Sequence, residues 1–399
     1  MSAESIEFEH MDLIDFAVKQ GNGVNGLSKL GLKSIPHRYI LPPEERLNQN
    51  QVVLEDSIPI IDVSNWGDPE AAALICEAAA KWGFFQIINH GVPLEVLEDV
   101  LEAGHKFFEL PNEERRKYLK ENSPTPTVQL KTGFSPLAEK VFEWKDYLVH
   151  HYVPHNVSSD LWPSVSKCMM YLDWPSLNGI TFLSIRNLIS VMTVAFTPGN
   201  DLTSEVYIRD QVLEYLKWAK PVIKKLVEVL LQGLNVKEFD ESQESQLIDR
   251  TTISLIHYPM CPSPELACGA RRHSDISSIT ILLQDDVGGL YVKGTTADQW
   301  IHVSPVKGAL AVNIGDILQI VSNDRYKSIE HQVIVNGRRN RVSVPIFVSP
   351  AADTVVGPFP QSLENGKKPI YKHVIYSDYL NYFLSKRDDR NQTIEFAKI

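Results

Sequence analysis

Arg272-His273-Ser274-Asp275 opens, and His331, Arg341-Val342-Ser343 and Phe347 close, the stretch whose reading decides the fold of this chain. His273 and Asp275 stand two apart, a spacing that sends both side chains to one face of a β-strand. His331 has to arrive from a distant strand to complete a triangle of two imidazoles and a carboxylate. Such a donor set, taking one face of a metal and leaving the opposite face open, suits a non-haem Fe(II). Arg341 and Ser343 are again two apart. They follow the turn signal Asn336-Gly337-Arg338-Arg339-Asn340 and lie in a strand-like run, Val342 to Val348. A guanidinium beside a hydroxyl on one strand face is a clamp for a carboxylate, because the planar fork binds it through two parallel hydrogen bonds. With twelve His in the chain, His-x-Asp alone decides nothing. The weight lies in the joint pattern with His331, Arg341 and Ser343.

Outward from this stretch, short alternating runs are separated by turn residues. Thr251–Tyr258 precedes it, and Ile279–Leu283, Leu290–Val292, Trp300–Val303 and Leu310–Asp316 fill the gap to His331. Strands this short with regular turn signals predict a mainly β protein with a jelly-roll core. Helical spacing covers Glu70–Lys81, Leu94–Phe108 and Val212–Leu234, and Pro221 predicts a kink or break in the last of these. Tyr371–Phe383 reads as a closing helix, and the charge run Glu113–Lys117 as a solvated face. The expected organisation is a helical arm over 1–57, an N-terminal region over 58–167, an insertion over 168–208 and the jelly roll with its bracing and C-terminal helices over 209–399. The insertion carries an apolar run, Ile180–Phe196, too short and too polar to span a membrane. It reads as an extra helix packed on the surface, a disordered insertion or sequence removable by a different splice choice, and the last two are favoured because nothing else in the chain looks built to pack against it.

Composition bounds the function. The chain has 399 residues, 43% hydrophobic and 22% charged, with a net charge of −11. That balance describes a soluble globular protein with no general affinity for nucleic acid or anionic membranes. Cys76, Cys168, Cys261 and Cys268 form neither a disulfide framework nor a metal-binding CxxC, as expected in a reducing compartment. No signal or transit peptide is read at the N-terminus, and the expected location is cytoplasmic.

His273, Asp275, His331, Arg341 and Ser343 together match His-x-Asp, a distal His and Arg-x-Ser, and the chain resembles the plant 2-oxoglutarate- and Fe(II)-dependent dioxygenases. Further resembling segments are Trp82-Gly83-Phe84-Phe85, Asn89-His90-Gly91 and Tyr258-Pro259-Met260-Cys261-Pro262. The resemblance implies a distorted double-stranded β-helix with flanking helices. It also implies Fe(2+), 2-oxoglutarate and O2, with ascorbate as an accessory reductant. His273, Asp275 and His331 would ligate iron, and no catalytic residue beyond them is expected. Arg341, Ser343 and Tyr258 would hold the far carboxylate of 2-oxoglutarate, and Phe134 and Phe347 would stack on an aromatic substrate. The sequence departs from the family at Ile256, where Asn is usual, and at His257, where Tyr is usual. Ile cannot hydrogen-bond, which puts one co-substrate contact in doubt.

Within that family the chain is most similar to hydroxylases acting ortho on hydroxycinnamoyl-CoA thioesters, feruloyl-CoA and p-coumaroyl-CoA, in coumarin formation. The likeness is carried by Lys19-Gln20-Gly21-Asn22-Gly23-Val24, Phe134-Ser135-Pro136-Leu137-Ala138-Glu139, Glu143-Trp144-Lys145-Asp146-Tyr147 and Phe396-Ala397-Lys398-Ile399. It implies a monomer acting on a small aromatic CoA thioester, with Lys131, Arg271, Arg272 and Arg338 as candidates for the CoA phosphates. Two alternatives stand beside it: hydroxylation of a free coumarin or other phenolic, and a catalytically silent jelly roll that binds a ligand, favoured by Ile256 and the insertion.

Overall fold

The alternating runs pair into two main sheets. The computed structural model describes residues 10–53, 58–123, 127–133, 139–152, 202–236, 240–294, 299–386 and 390–399. Its strands are β1 (Val52–Val53), β2 (Ile60–Asp62), β3 (Phe84–Ile88), β4 (Val128–Thr132), β5 (Asp146–Tyr152), β6 (Arg250–Tyr258), β7 (Ala270–His273), β8 (Ile279–Gln284), β9 (Leu290–Lys293), β10 (Trp300–His302), β11 (Leu310–Ile314), β12 (His331–Val333), β13 (Arg341–Ser349), β14 (Val355–Val356) and β15 (Val374–Ile375). The larger sheet has the order β2-β3-β11-β8-β13-β6-β5-β4 and the smaller β1-β10-β9-β12-β7, while β14 and β15 pair apart. This is the jelly-roll core with flanking helices that the turn spacing predicts. All of β11 is buried, its one polar residue Asn313 included, as befits a strand covered on both faces.

Helices cover the outer face of the larger sheet. Leu94–Glu109 packs on β13 and β6, and the long helix Leu202–Gly233 packs on it in turn. The long helix starts earlier than its sequence spacing suggests, inside the stretch read as an insertion. The reason is that its apolar stripe extends backwards: buried Ile208 falls four residues before buried Val212, on the same face. Pro221 interrupts nothing. It sits on the exposed face, where the carbonyl it leaves without an amide partner can face water. Residues 153–201, most of the expected insertion, lie outside the described residues, as does Phe134.

The arm is part of the body of the protein. Leu13, Val24, Leu27 and Tyr39 are buried in one core with Trp144, Tyr258, Val292 and Val333. A single carboxylate pins it: Asp146 accepts from the amides of Val24 (2.9 Å) and Asn25 (2.7 Å). Gly23 makes this possible, since its φ is +66° and a Cβ there would meet the Asp146 oxygens at 2.5 Å. Arg115 is a correction to the solvated-face reading of its charge run. It is buried, with Nε donating to the carbonyl of Leu110 (3.2 Å).

Candidate active site

β7 and β12 are antiparallel neighbours in the smaller sheet, and their register sets His273 opposite His331. Asp275 does not share the strand. β7 ends at His273, and Asp275 sits in the following turn, where its carbonyl accepts from the amide of Asp316 (2.7 Å). The three side chains still converge, with donor atoms within 4.8 Å of one another. Asp275 Oδ1 lies 3.6 Å from His273 Nε2 and 3.7 Å from His331 Nε2.

Each donor is oriented by a neighbour. His273 Nδ1 donates to the carbonyl of Arg271 (2.7 Å) and His331 Nδ1 to that of Ile329 (3.2 Å), which leaves both Nε2 lone pairs free for a metal. Asp275 Oδ2 accepts from Thr280 Oγ1 (2.6 Å) and Asn313 Nδ2 (2.7 Å), so Oδ1 is the oxygen turned to the histidines. Burial pushes the Asp275 carboxyl up, but His331, His273 and these two hydrogen bonds more than offset it and hold it below its ordinary value. Burial, helped by His273, lowers His331 to about 4, so its imidazole is neutral and ligating at physiological pH. The edge of Phe84 fixes the His331 ring, with centroids 5.1 Å apart. Two neutral imidazoles and a carboxylate fit a divalent iron.

β6 and β13 of the larger sheet bring the remaining residues. Their register sets Arg341 opposite Tyr258 and Ser343 opposite Ile256. Arg341 is 2% exposed. Its Nη1 donates to Ser343 Oγ (3.2 Å), its Nη2 to Gln284 Oε1 (3.1 Å), and its guanidinium lies 4.9 Å from the Tyr258 ring centroid. No carboxylate is paired with it among the described residues, and its buried Nε has no hydrogen-bond partner. A buried, uncompensated guanidinium calls for an anion. The chamber of about 100 Å³ that it shares with the triad can take the carboxylate of a small dicarboxylic acid. Ile256 lines that chamber, so the departure from Asn faces the place where a hydrogen bond would be made.

A second chamber of about 350 Å³ continues outward from His273 and Asp275, and Phe347 lines both. Its lining holds two features that sequence reasoning did not assign. The first is a buried ion pair, Lys145 Nζ to Glu143 Oε2 at 3.0 Å. Burial works against the Lys145 charge, and Glu143 more than restores it, holding the amine above its ordinary range. The second is the closing helix, Tyr376–Ser385, which turns Tyr376, Leu380, Phe383 and Leu384 to the chamber. The i, i+4, i+7, i+8 spacing of those four residues was the available signal. Of the cations expected to meet phosphates, Lys131 alone lines either of these two chambers. Arg271 is paired with Glu45 (Nη2 to Oε2, 2.9 Å), Arg272 lies over the Trp300 ring (5.2 Å), and Arg338 is exposed on the turn before β13.

Comparison with known proteins agrees with this geometry. The profile of the 2OG-Fe(II) oxygenase superfamily matches residues 250–350, and that of the non-haem dioxygenase in morphine synthesis N-terminal region matches residues 58–176. A feruloyl CoA ortho-hydroxylase of Ipomoea batatas is 47% identical, with 97% of each chain covered. The chain belongs to the 2OG-Fe(II) oxygenase superfamily. It is a 2-oxoglutarate-dependent dioxygenase with Fe(II) as its metal. A bi-functional coumaroyl CoA and feruloyl CoA ortho-hydroxylase of Ipomoea batatas is 49% identical over 97% of both chains. Among solved structures, that of JOX2 in complex with 2OG, Fe and JA superposes with a TM-score of 0.74 at 32% identity, covering 94% of this oxygenase and 97% of that chain. No helix among the described residues is long and apolar enough to cross a membrane.

Proposed function

We propose that this oxygenase hydroxylates a hydroxycinnamoyl-CoA thioester, feruloyl-CoA or p-coumaroyl-CoA, at the ring position ortho to the propenoyl chain. One observation carries the reading. The triad opens directly onto a largely apolar chamber of the size of a small-molecule site, with Phe347 at the junction. The names of the relatives supply the substrate class.

In this reading His273, Asp275 and His331 hold the metal, and Arg341, Ser343 and Tyr258 hold the far carboxylate of 2-oxoglutarate. When bound, iron and 2-oxoglutarate supply the oxidative chemistry: one atom of O2 enters the ring C–H bond as hydroxyl, the other enters succinate, and carbon dioxide leaves. The protein's contribution is orientation and exclusion of water. Phe347, with Phe134, stacks on the aromatic ring and presents one edge to the metal. Arg341 fixes the co-substrate at its far end, so that its keto-acid end meets the metal in one orientation. Ring closure of the ortho-hydroxylated thioester, after isomerisation of its double bond, would give a coumarin. We read residues 209–399 as the catalytic jelly roll, with the arm and residues 58–167 as its wall. We place the protein in the cytoplasm as a monomer, where Cys76, Cys261 and Cys268 stay free thiols.

The test incubates the protein with Fe(II), 2-oxoglutarate, O2 and feruloyl-CoA and follows succinate and product by mass spectrometry. Matched succinate and ortho-hydroxylated thioester are expected. Hydroxylation of a free phenolic with none of the thioester would overturn the substrate class while leaving the iron chemistry in place.

A further inference from the structure

The outer chamber runs outward from the triad along a wall that carries basic side chains. Its wall is built by β6, β5 and β4, side by side in the larger sheet. On β6 every second residue from Ile256 to Arg250 faces the chamber, and on β5 every second residue from Tyr147 to His151 does so, with Lys131 reaching in from β4. Six residues of strand separate Ile256 from Arg250, about 20 Å at the usual rise. The polar end therefore lies well outside the reach of the metal.

His151 and Arg250 stand toward that end, and Lys131 stands on the outermost strand, level with Tyr147 and Ile256; all three line the chamber without an acid partner. No ion pair joins any of them to a carboxylate among the described residues, whereas Arg271 is tied to Glu45 and Arg339 to Asp286. Glu143, which also lines the chamber, is matched by Lys145. Lys131 and Arg250 bear on His151 instead. Burial and then Lys120 hold Lys131 below its ordinary range, and burial, Lys131 and Arg250 do the same to His151. A carboxylate in contact would do the reverse. On a chain whose net charge is −11, such a cluster on the wall of a cavity is a receptor that lacks its anion.

We infer that Lys131, His151 and Arg250 bind the phosphate groups of a substrate whose aromatic end lies beside the triad. The inference rests on the thioester reading above and deepens it. The acyl group lies beside the triad, and the pantetheine arm runs across β6 and β5 to bring the nucleotide phosphates to these three side chains. A carboxylate or sulfate on some other substrate shares the same chemistry, and the test separates the sources.

The test compares the wild-type protein with Lys131→Glu/Arg250→Glu and with the milder Lys131→Gln/Arg250→Gln, each checked for an unchanged urea midpoint. Two probes are used: binding of coenzyme A itself, and KM for feruloyl-CoA against a phosphate-free feruloyl N-acetylcysteamine thioester. The Kd for coenzyme A should rise about tenfold for each cation removed. The ratio of the two KM values should shift toward the phosphate-free thioester by a similar factor. Raising salt should weaken coenzyme A binding to the wild type and much less to the variants. An unshifted KM ratio with unchanged coenzyme A binding would overturn the inference while leaving the ortho-hydroxylase reading standing. A wild type that hydroxylates neither thioester, yet binds coenzyme A through these cations, would sink that reading and keep the phosphate site. Binding that responds to a simple carboxylate or sulfate, with none to coenzyme A, would assign the cluster to another anion and overturn it.

Discussion

Asp275 works because Asn313 and Thr280 occupy its second oxygen, and this dependence can be measured. Asn313→Ala removes the 2.7 Å donor on β11 without touching a ligand. Loss of such a supporting bond costs about 10–100-fold in metal affinity or activity. Fe(II) titration of the apo-protein should show it, and an unchanged affinity would mean that Thr280 alone orients the carboxylate. The opposite chamber wall allows a pair of changes with opposite signs. Arg341→Lys exchanges a planar fork for a point charge and should raise the Kd for 2-oxoglutarate by one to two decades, about 1.5–3 kcal/mol. Ile256→Asn places an amide opposite Ser343, facing the same chamber, and should tighten that Kd by about tenfold. Equilibrium dialysis of 2-oxoglutarate against the Fe(II)-loaded variants reads both, and loosening by Ile256→Asn would show that Ile256 contributes packing alone. Residue by residue, the pairs His273/Asp275 and Arg341/Ser343 stand out in the sequence by their two-residue spacings, and His331 stands out only in combination with them. Asn313 and Lys145 are illegible, since their importance comes from neighbours far along the chain.

At the scale of elements, the strands are the most readable part of the molecule. β6, β8, β11 and β13 match their alternating runs to within a residue or two. The turn carrying Asp275 shows the limit of that reasoning: the side chain arrives where strand geometry sends it, but a loop bonded to Asp316 delivers it. The arm shows another limit. Its two short segments, His10–Ile14 and Gly23–Ser28, carry too few periodic positions to reveal what they cover. What pins the second of them is Asp146, more than a hundred residues away. Asp146→Ala would leave the buried amides of Val24 and Asn25 without acceptors, at about 1–3 kcal/mol each. Gly23→Ala should destabilise through its positive φ alone by about 1–3 kcal/mol. Urea unfolding of both variants should show losses of that order. Midpoints equal to wild type would mean that the arm is held by its apolar contacts and that the carboxylate is incidental.

Over the whole molecule, two histidines buried away from the metal set how stability responds to acid. His257 stacks on Phe108, with centroids 4.8 Å apart and planes 15° from parallel, and its Nδ1 has no hydrogen-bond partner. Burial, reinforced by His105, Arg115 and Lys29, lowers its pKa to about 3. Burial and His151 lower that of His150 to about 4. Unfolded, both take up a proton near pH 6.5. As pH falls below that value the unfolded chain binds protons that the folded chain refuses, so stability is lost progressively until the folded pKa is reached. Each histidine contributes a slope of about 1.4 kcal/mol per pH unit inside that window. Asp316 opposes them. Burial raises it to about 6, so between that value and its unfolded pKa near 4 the folded chain holds the extra proton and gains stability as pH falls. The net slope therefore depends on which group is removed. His257→Phe keeps the stack on Phe108, removes the unpartnered nitrogen and takes away one of the acid-labile contributions. Urea midpoints at pH 7, 6 and 5 should show the variant at least as stable as wild type at pH 7, with a slope shallower by about 1.4 kcal/mol per unit. Parallel curves would mean that His257 takes up its proton at the same pH in the folded and the unfolded chain, and that the acid response lies in other groups.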